Sequence, residues 1–154
     1  MMNASSKVTS EFKKTHVKIM VHTKAEDGYP PEEWEGLWAI PIGGGHFKVD
    51  NVPFYAKNLS CHDIVEASRE GDAYILKRVV TPSENSPIRV VTYDLAEEEY
   101  VRHELTTLGC SIEGTGTPGL IAVNVPKMSL EDVLDFLENA FAEEKLDFEE
   151  GALR

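Results

Sequence analysis

Ile88-Arg89-Val90-Val91-Thr92-Tyr93-Asp94-Leu95-Ala96-Glu97 opens the stretch whose reading decides the fold. Its first six residues are rich in β-branched side chains, which fit a pleated, half-buried surface and predict a strand. Asp94 is a helix-capping residue type, and Glu97 three residues on completes a capping-box pattern. Val101, Leu105 and Leu108 then give a helix one apolar stripe, and Gly109 supplies a left-handed stop. Cys110–Glu113 and Leu120–Val125 read as strands joined by the turn-rich Gly114-Thr115-Gly116-Thr117-Pro118-Gly119. A second helix is expected after Ser129, with Asp132 in its first turn and Met128 stapled onto Val133. Leu130, Val133, Leu134, Leu137, Ala140 and Phe141 keep helical spacing over three turns. Leu146 and Phe148 mark a last strand. The order is β-α-β-β-α-β, the ferredoxin-like arrangement, which sets both helices on one side of a sheet.

Upstream, the periodicity changes from helical to period two. Val17, Ile19 and Val21 alternate with polar neighbours on one strand. Residues 37–42 and 46–50 flank Gly43-Gly44-Gly45 and predict a hairpin, edged or bulged at Pro41 because proline has no N–H for the ladder. Two more strands are expected near Ile64–Arg69 and Ala73–Val80, around Glu70-Gly71-Asp72. Five short strands with no helix between them suggest a small β-barrel or a strongly curved sheet. Residues 25–33 read as a loop, 51–62 as irregular and 81–87 as a linker. The sequence therefore predicts an α+β protein with a flexible N-terminus over 1–14, a β-rich module over 15–82 and a ferredoxin-like module over 88–154.

Charge separates the two modules. The chain has 154 residues and a net charge of −12. Residues 94–154 hold 15 Asp/Glu against 4 Lys/Arg, a net −11, which leaves −1 for residues 1–93. Nucleic acid binding rests on Lys and Arg displacing counterions from phosphates, so this balance argues against it. An apolar content of 42% suits a packed globular protein. No apolar run approaches the roughly 18 residues of a membrane-spanning helix, so no membrane is expected. The first 16 residues carry no apolar stretch of the kind a secretory leader needs. Cys61 and Cys110 lie far apart without metal-ligand spacing, as expected of reduced thiols in a cytoplasmic protein.

Three short patterns, Glu35-Gly36-Leu37-Trp38-Ala39, Asp50-Asn51-Val52-Pro53-Phe54-Tyr55 and Ser60-Cys61-His62-Asp63-Ile64-Val65, occur in that order. Together with Leu108-Gly109-Cys110 and Glu113 they resemble a bacterial family known only as domain of unknown function 4265. The resemblance covers about Val17 to Leu137 and implies a bacterial cytosolic protein. That family has no assigned activity, so no catalytic or binding role is implied for any residue.

Candidate sites follow from residue chemistry. Trp38, Phe54 and Tyr55 either fill the core of the first module or line a pocket there, with Asp50 and Asn51 as polar contacts. Asn51 is equally explained as a turn residue bonding through its own side chain. Cys61-His62-Asp63 has the residue types of a nucleophile, base and orienter, but working triads are assembled from distant segments and a contiguous trio does not converge. No catalytic residue is assigned. His16 and His22 lie on one strand face but about 20 Å apart at roughly 3.3 Å per residue. They cannot share an ion, and no metal or other cofactor is expected. The glycine-rich 114–119 leads into a strand and lacks a Lys, unlike a phosphate-cradling loop. There remain the outer helix faces, Glu97, Glu98, Glu99 and Glu104 with Glu131, Asp135, Glu138 and Glu143, which are either solvated surface or a docking face for a basic protein. The leading expectation is a small acidic binding or inhibitor-like protein. The alternative is a small-molecule-binding or hydrolytic domain built on the aromatic residues. The oligomeric state is not legible.

The polar first dozen residues lack any period. Deleting residues 1–13 is therefore expected to move the melting temperature by no more than about 2 °C, the shift for well under 1 kcal/mol in a chain of this size. Calorimetry on the truncated protein checks this, and a larger drop would show that the segment is packed.

Overall fold

The computed structural model describes residues 15–23 and 33–152. The expected flexible segment 1–14 and nearly all of the loop expected at 25–33 lie outside them. The described residues form an α+β protein with nine strands, two α-helices and two sheets. The chain divides into two compact units. The first comprises Met1–Asn51 and His62–Pro82, the second Val52–Cys61 and Ser83–Arg154.

In the first unit, β1 (Val17–His22), β2 (Trp34–Gly43), β3 (His46–Val49), β4 (Ile64–Glu70) and β5 (Ala73–Thr81) pair in chain order. The sheet closes on itself where β1 runs parallel to β5, with Ile19 opposite Tyr74 and Met20 opposite Ile75. Closure removes the open edges that a short, polar sheet would otherwise leave unpaired. Alternation puts Ile19, Val21, Leu37, Ala39, Phe47, Val49, Val65 and Ala67 inside. The glycine hairpin forms as expected, with Gly43 at φ +93° and Gly44 at +68°, a region open to glycine but costly for L side chains. The ladder shifts register between Pro41 and Gly43, at the residue that cannot donate.

The second unit contains β6 (Asn85–Thr92), α1 (Leu95–Thr107), β7 (Ser111–Gly114), β8 (Leu120–Pro126), α2 (Leu130–Ala142) and β9 (Leu146–Glu150). Its sheet has the order β7-β8-β6-β9, with every neighbouring pair antiparallel. Ile88 and Val90 of β6 and Ile121, Val123 and Val125 of β8 share one face by period-two alternation. They pack against Val101 and Leu105 of α1 and Val133, Leu137 and Ala140 of α2. Both helices therefore cover the same side of the sheet.

Local differences from expectation have local causes. The linker is shorter than 81–87, because β5 runs to Thr81 and β6 starts at Asn85. Pro87 is accommodated in β6 because the ladder to β9 reaches only Ile88, so no N–H is required of it on that side. Asp94 caps α1 by accepting the Ala96 N–H at 3.0 Å. Ser129 makes no such bond. A 3-10 turn at Lys127–Ser129 leads into α2, and Ser129 is already in the αR region rather than the extended conformation of a capping residue. That turn leaves Met128 91% exposed, so it does not staple onto Val133. Phe141 is 51% exposed, and the buried stripe of α2 ends at Ala140.

Leu137 is wholly buried at the centre of that stripe. Leu137→Ala is expected to destabilise the protein by about 2–5 kcal/mol, the transfer term plus the cavity left behind. Chemical denaturation measures it; a loss under about 1 kcal/mol would place this face outside the core.

Candidate functional site

The outer faces of α1 and α2 present the acidic residues singled out above. Glu99, Glu131, Asp135, Glu138 and Glu143 are exposed; Glu97, Glu98 and Glu104 are half-buried. Two of the eight have internal work. The Glu98 carboxylate accepts the Gly119 N–H at 2.9 Å and lies 3.6 Å from Arg102. Glu143 pairs with Lys145 at 3.0 Å, and this hydrogen bond, reinforced by the charge, holds the Lys145 ammonium above its usual range. Between the helices lies a groove of about 150 Å³ lined by Tyr100, Phe136, Asn139, Ala140 and Lys145. Tyr100 and Phe136 meet with ring centroids 6.3 Å apart, and the Lys145 ammonium sits 5.8 Å above the Tyr100 ring. Tyr93, Leu95 and Tyr100 on or beside α1 are 60%, 63% and 49% exposed, much apolar surface for a face so rich in carboxylates.

In the first unit, Trp38, Asp50 and Asn51 come together through hydrogen bonds. Trp38 is half-buried and lies between the core residues Leu37 and Ala39, so alternation turns it away from the interior. Its N–H donates to Asn51 Oδ1 at 2.7 Å and its carbonyl accepts the Asp50 N–H at 2.8 Å. Lys18 lies over the indole at 5.2 Å. Asn51 thus bonds through its side chain to the β2 backbone, 13 residues away.

Asp50 has partners that sequence reasoning missed. His16 Nε2 lies 2.7 Å from Oδ2, and His62 Nε2 lies 3.8 Å from Oδ1. The Thr15 hydroxyl is 2.7 Å from His16 Nδ1. The Asp50 carboxylate accepts from His16 Nε2 and so holds the orientation of the ring. His62 reaches Asp50 from a left-handed backbone at φ +71°, held by its N–H on the Val49 carbonyl at 2.7 Å. These contacts join segments 34 and 12 residues apart. The positive φ of His62 leaves no trace in composition or spacing.

Phe54 and Tyr55 belong to the second unit, not with Trp38. Their rings meet edge to face at 4.6 Å and 87°. Arg89 organises them: Nη1 donates to the Phe54 carbonyl, the guanidinium lies 5.9 Å from the Phe54 ring, and Nη2 pairs with Glu149 at 3.1 Å. Glu113, Ala122, Arg89 and Glu149 form one row across β7, β8, β6 and β9. This row lies on the sheet face away from the helices, since its neighbours Ile88, Val90, Ile121 and Val123 face them. Glu113 accepts the Val52 N–H at 3.0 Å. Farther along, the Cys61 carbonyl accepts from Ser83 Oγ at 2.7 Å and Asn85 Nδ2 at 3.2 Å. Residues 52–61 are thus tied across the sheet at both ends. Both cysteines are buried and outside any disulfide among the described residues, and burial pushes the Cys110 thiol up to about 11, far from a reactive thiolate.

A solved crystal structure of a hypothetical protein from Neisseria gonorrhoeae has the same fold, with a TM-score of 0.72 over 90% of this chain and 96% of that one, at 23% identity. No curated protein matches the sequence. The family described as Domain of unknown function (DUF4265) matches residues 35–148, about three quarters of the chain and both of its units. The protein belongs to that family.

Proposed function

We propose that this is a bacterial cytosolic binding protein whose second unit docks a basic protein segment on its helical face. The observation that carries the reading is the groove between α1 and α2, where Tyr100, Phe136 and Ala140 lie beside the Glu143–Lys145 pair on two helices whose outer faces are acidic. Interfaces of this kind place aromatic anchors at the centre and charge at the rim. The second unit holds 16 acidic and 6 basic residues, a net −10, and the first 11 and 9, a net −2. Helix stability does not account for all of these charges. Glu97, Glu98, Glu131 and Asp132 sit in first turns, where the helix dipole favours anions. Glu143, at the C-cap of α2, and Glu144 beyond it sit where the dipole disfavours them, and neither helix has a basic residue in its last turn. We read the second unit as ferredoxin-like, which the β7-β8-β6-β9 order with both helices on one face supports, and the closed sheet of the first as a small barrel.

A Lys/Leu amphipathic helical peptide is a defined probe for this face. It is expected to bind at about 20 mM salt and to weaken steeply toward about 300 mM as screening sets in. Changing Glu131, Asp135 and Glu138 together to Lys should slow association at least about tenfold at low salt, because such charges act on the encounter rate. These three leave the internal bonds of Glu98 and Glu143 intact. Stopped-flow fluorescence reads the rates. An Asp/Leu peptide binding equally well, or an unchanged rate in the triple variant, would refute the reading.

A further inference from the structure

On the side of the second unit opposite the helices, a cavity of about 210 Å³ opens beside Arg89. Lys57, Asn58, Arg89, Glu149, Glu150 and Gly151 line it, so two carboxylates stand beside its two cations. Three features of its chemistry are unusual for a unit of net charge −10. Two of the unit's six cations, Arg89 and Lys57, converge on one small space. The Arg89 side chain is only 11% exposed, yet its buried Nε has no hydrogen-bond partner, so the internal contacts leave the guanidinium incompletely satisfied. Lys57 is exposed and forms no ion pair among the described residues, whereas Arg102, Lys127 and Lys145 of the same unit each do.

The wall at Gly151 is packed closely against β6. Gly151 donates its N–H to the Pro87 carbonyl at 2.9 Å, and a Cβ there would fall 2.8 Å from Pro87 Cγ. Asn58 turns the chain at φ +62°, setting Lys57 and Asn58 on the rim. The carboxylate on Arg89 belongs to Glu149, which is 55% exposed on the edge strand β9. A carboxylate at an exposed edge is one that a ligand carboxylate can replace with the same charge-assisted bond to Nη2.

We propose that this cavity binds a small carboxylate-bearing metabolite, whose carboxylate takes the place of Glu149 on Arg89 and is met from the rim by Lys57. The size sets the class. At about 210 Å³ the space is below the roughly 300–1,000 Å³ of drug-sized pockets, and suits a short mono- or dicarboxylate. Glu149 acts as an internal competitor, so the apparent affinity is the intrinsic one reduced by the fraction of molecules in which Arg89 is uncovered. This site is separate from the helical groove, and its outcome is independent of the docking reading.

The test uses the full chain with succinate, acetate and methylammonium as probes, followed by amide chemical shifts. Succinate or acetate should bind saturably, with shifts at residues 57–58 and 149–151, and methylammonium should not. Glu149→Gln removes the competitor and should tighten carboxylate binding by roughly fivefold, the upper range for a pair of this exposure. Lys57→Gln should weaken it by a similar factor. Glu149→Gln also takes a carboxylate from a buried guanidinium and is expected to lower the melting temperature, but a merely structural role would not move carboxylate affinity in opposite directions in the two variants. Absence of carboxylate binding to both wild type and Glu149→Gln would overturn the proposal. So would equal binding of methylammonium, or a Glu149→Gln variant that binds no tighter than wild type.

Discussion

The guanidinium of Arg89 is the constraint from which the architecture of the second unit follows. A charge that is nearly nine-tenths buried must be paired and hydrogen-bonded, because an uncompensated ion there costs several kcal/mol. One partner, Glu149, stands opposite on the neighbouring strand. The other, the Phe54 carbonyl, comes from a stretch lying between two strands of the first unit. Residues 52–61 therefore leave the closed sheet after β3, cross the helix-free face of the second sheet, and return to begin β4. Glu113, two strands away in the same cross-strand row, fixes the start of the crossing through the Val52 N–H, and Ser83 and Asn85 fix its end at Cys61. The sheet is covered on both faces, by helices on one side and by this strap on the other.

That arrangement sorts the exposed chemistry. The helix side is an acidic field with aromatic residues set into it; the strap side sets two cations and two carboxylates around a small cavity. Charge of one sign spread over a surface is costly through self-repulsion, and first-turn placement offsets this only for part of the helical carboxylates. The remainder, with Tyr93, Leu95 and Tyr100 exposed among them, have no such offset and form the face on which we propose docking of a basic segment. In the first unit the same logic of pairing applies at Asp50, whose two carboxylate oxygens each face an imidazole.

Most of the fold was legible because its signals are local. Period two in Val17, Ile19 and Val21, period 3.6 in Val101, Leu105, Val133 and Leu137, and the glycines of the 43–45 turn each specify their own element. The helix pair on one face followed from those stripes. What was not legible depended on contacts at long separation. Phe54 and Tyr55 carry the same apolar signal wherever they pack, and only the buried Arg89, 35 residues on, decides that they leave the first unit. Arg89 itself reads as an ordinary polar residue alternating within β6. The His16–Asp50–His62 group has no local signal for the same reason, since its members lie 34 and 12 residues apart and meet only in the folded first unit. Glu98 and Glu143 looked like any other surface carboxylates, and only geometry shows that they hold a backbone amide and a lysine.

Native-state hydrogen exchange at Val52 tests most directly whether Arg89 fastens the strap. The account predicts that Arg89→Met speeds exchange of the Val52 amide by about 10- to 100-fold, the loss of charge-assisted bonds worth roughly 1.5–3 kcal/mol. Amides of β8 such as Val123, in the middle of the sheet, should keep their protection. Unchanged exchange at Val52 in the variant, with Val123 still protected, would contradict it.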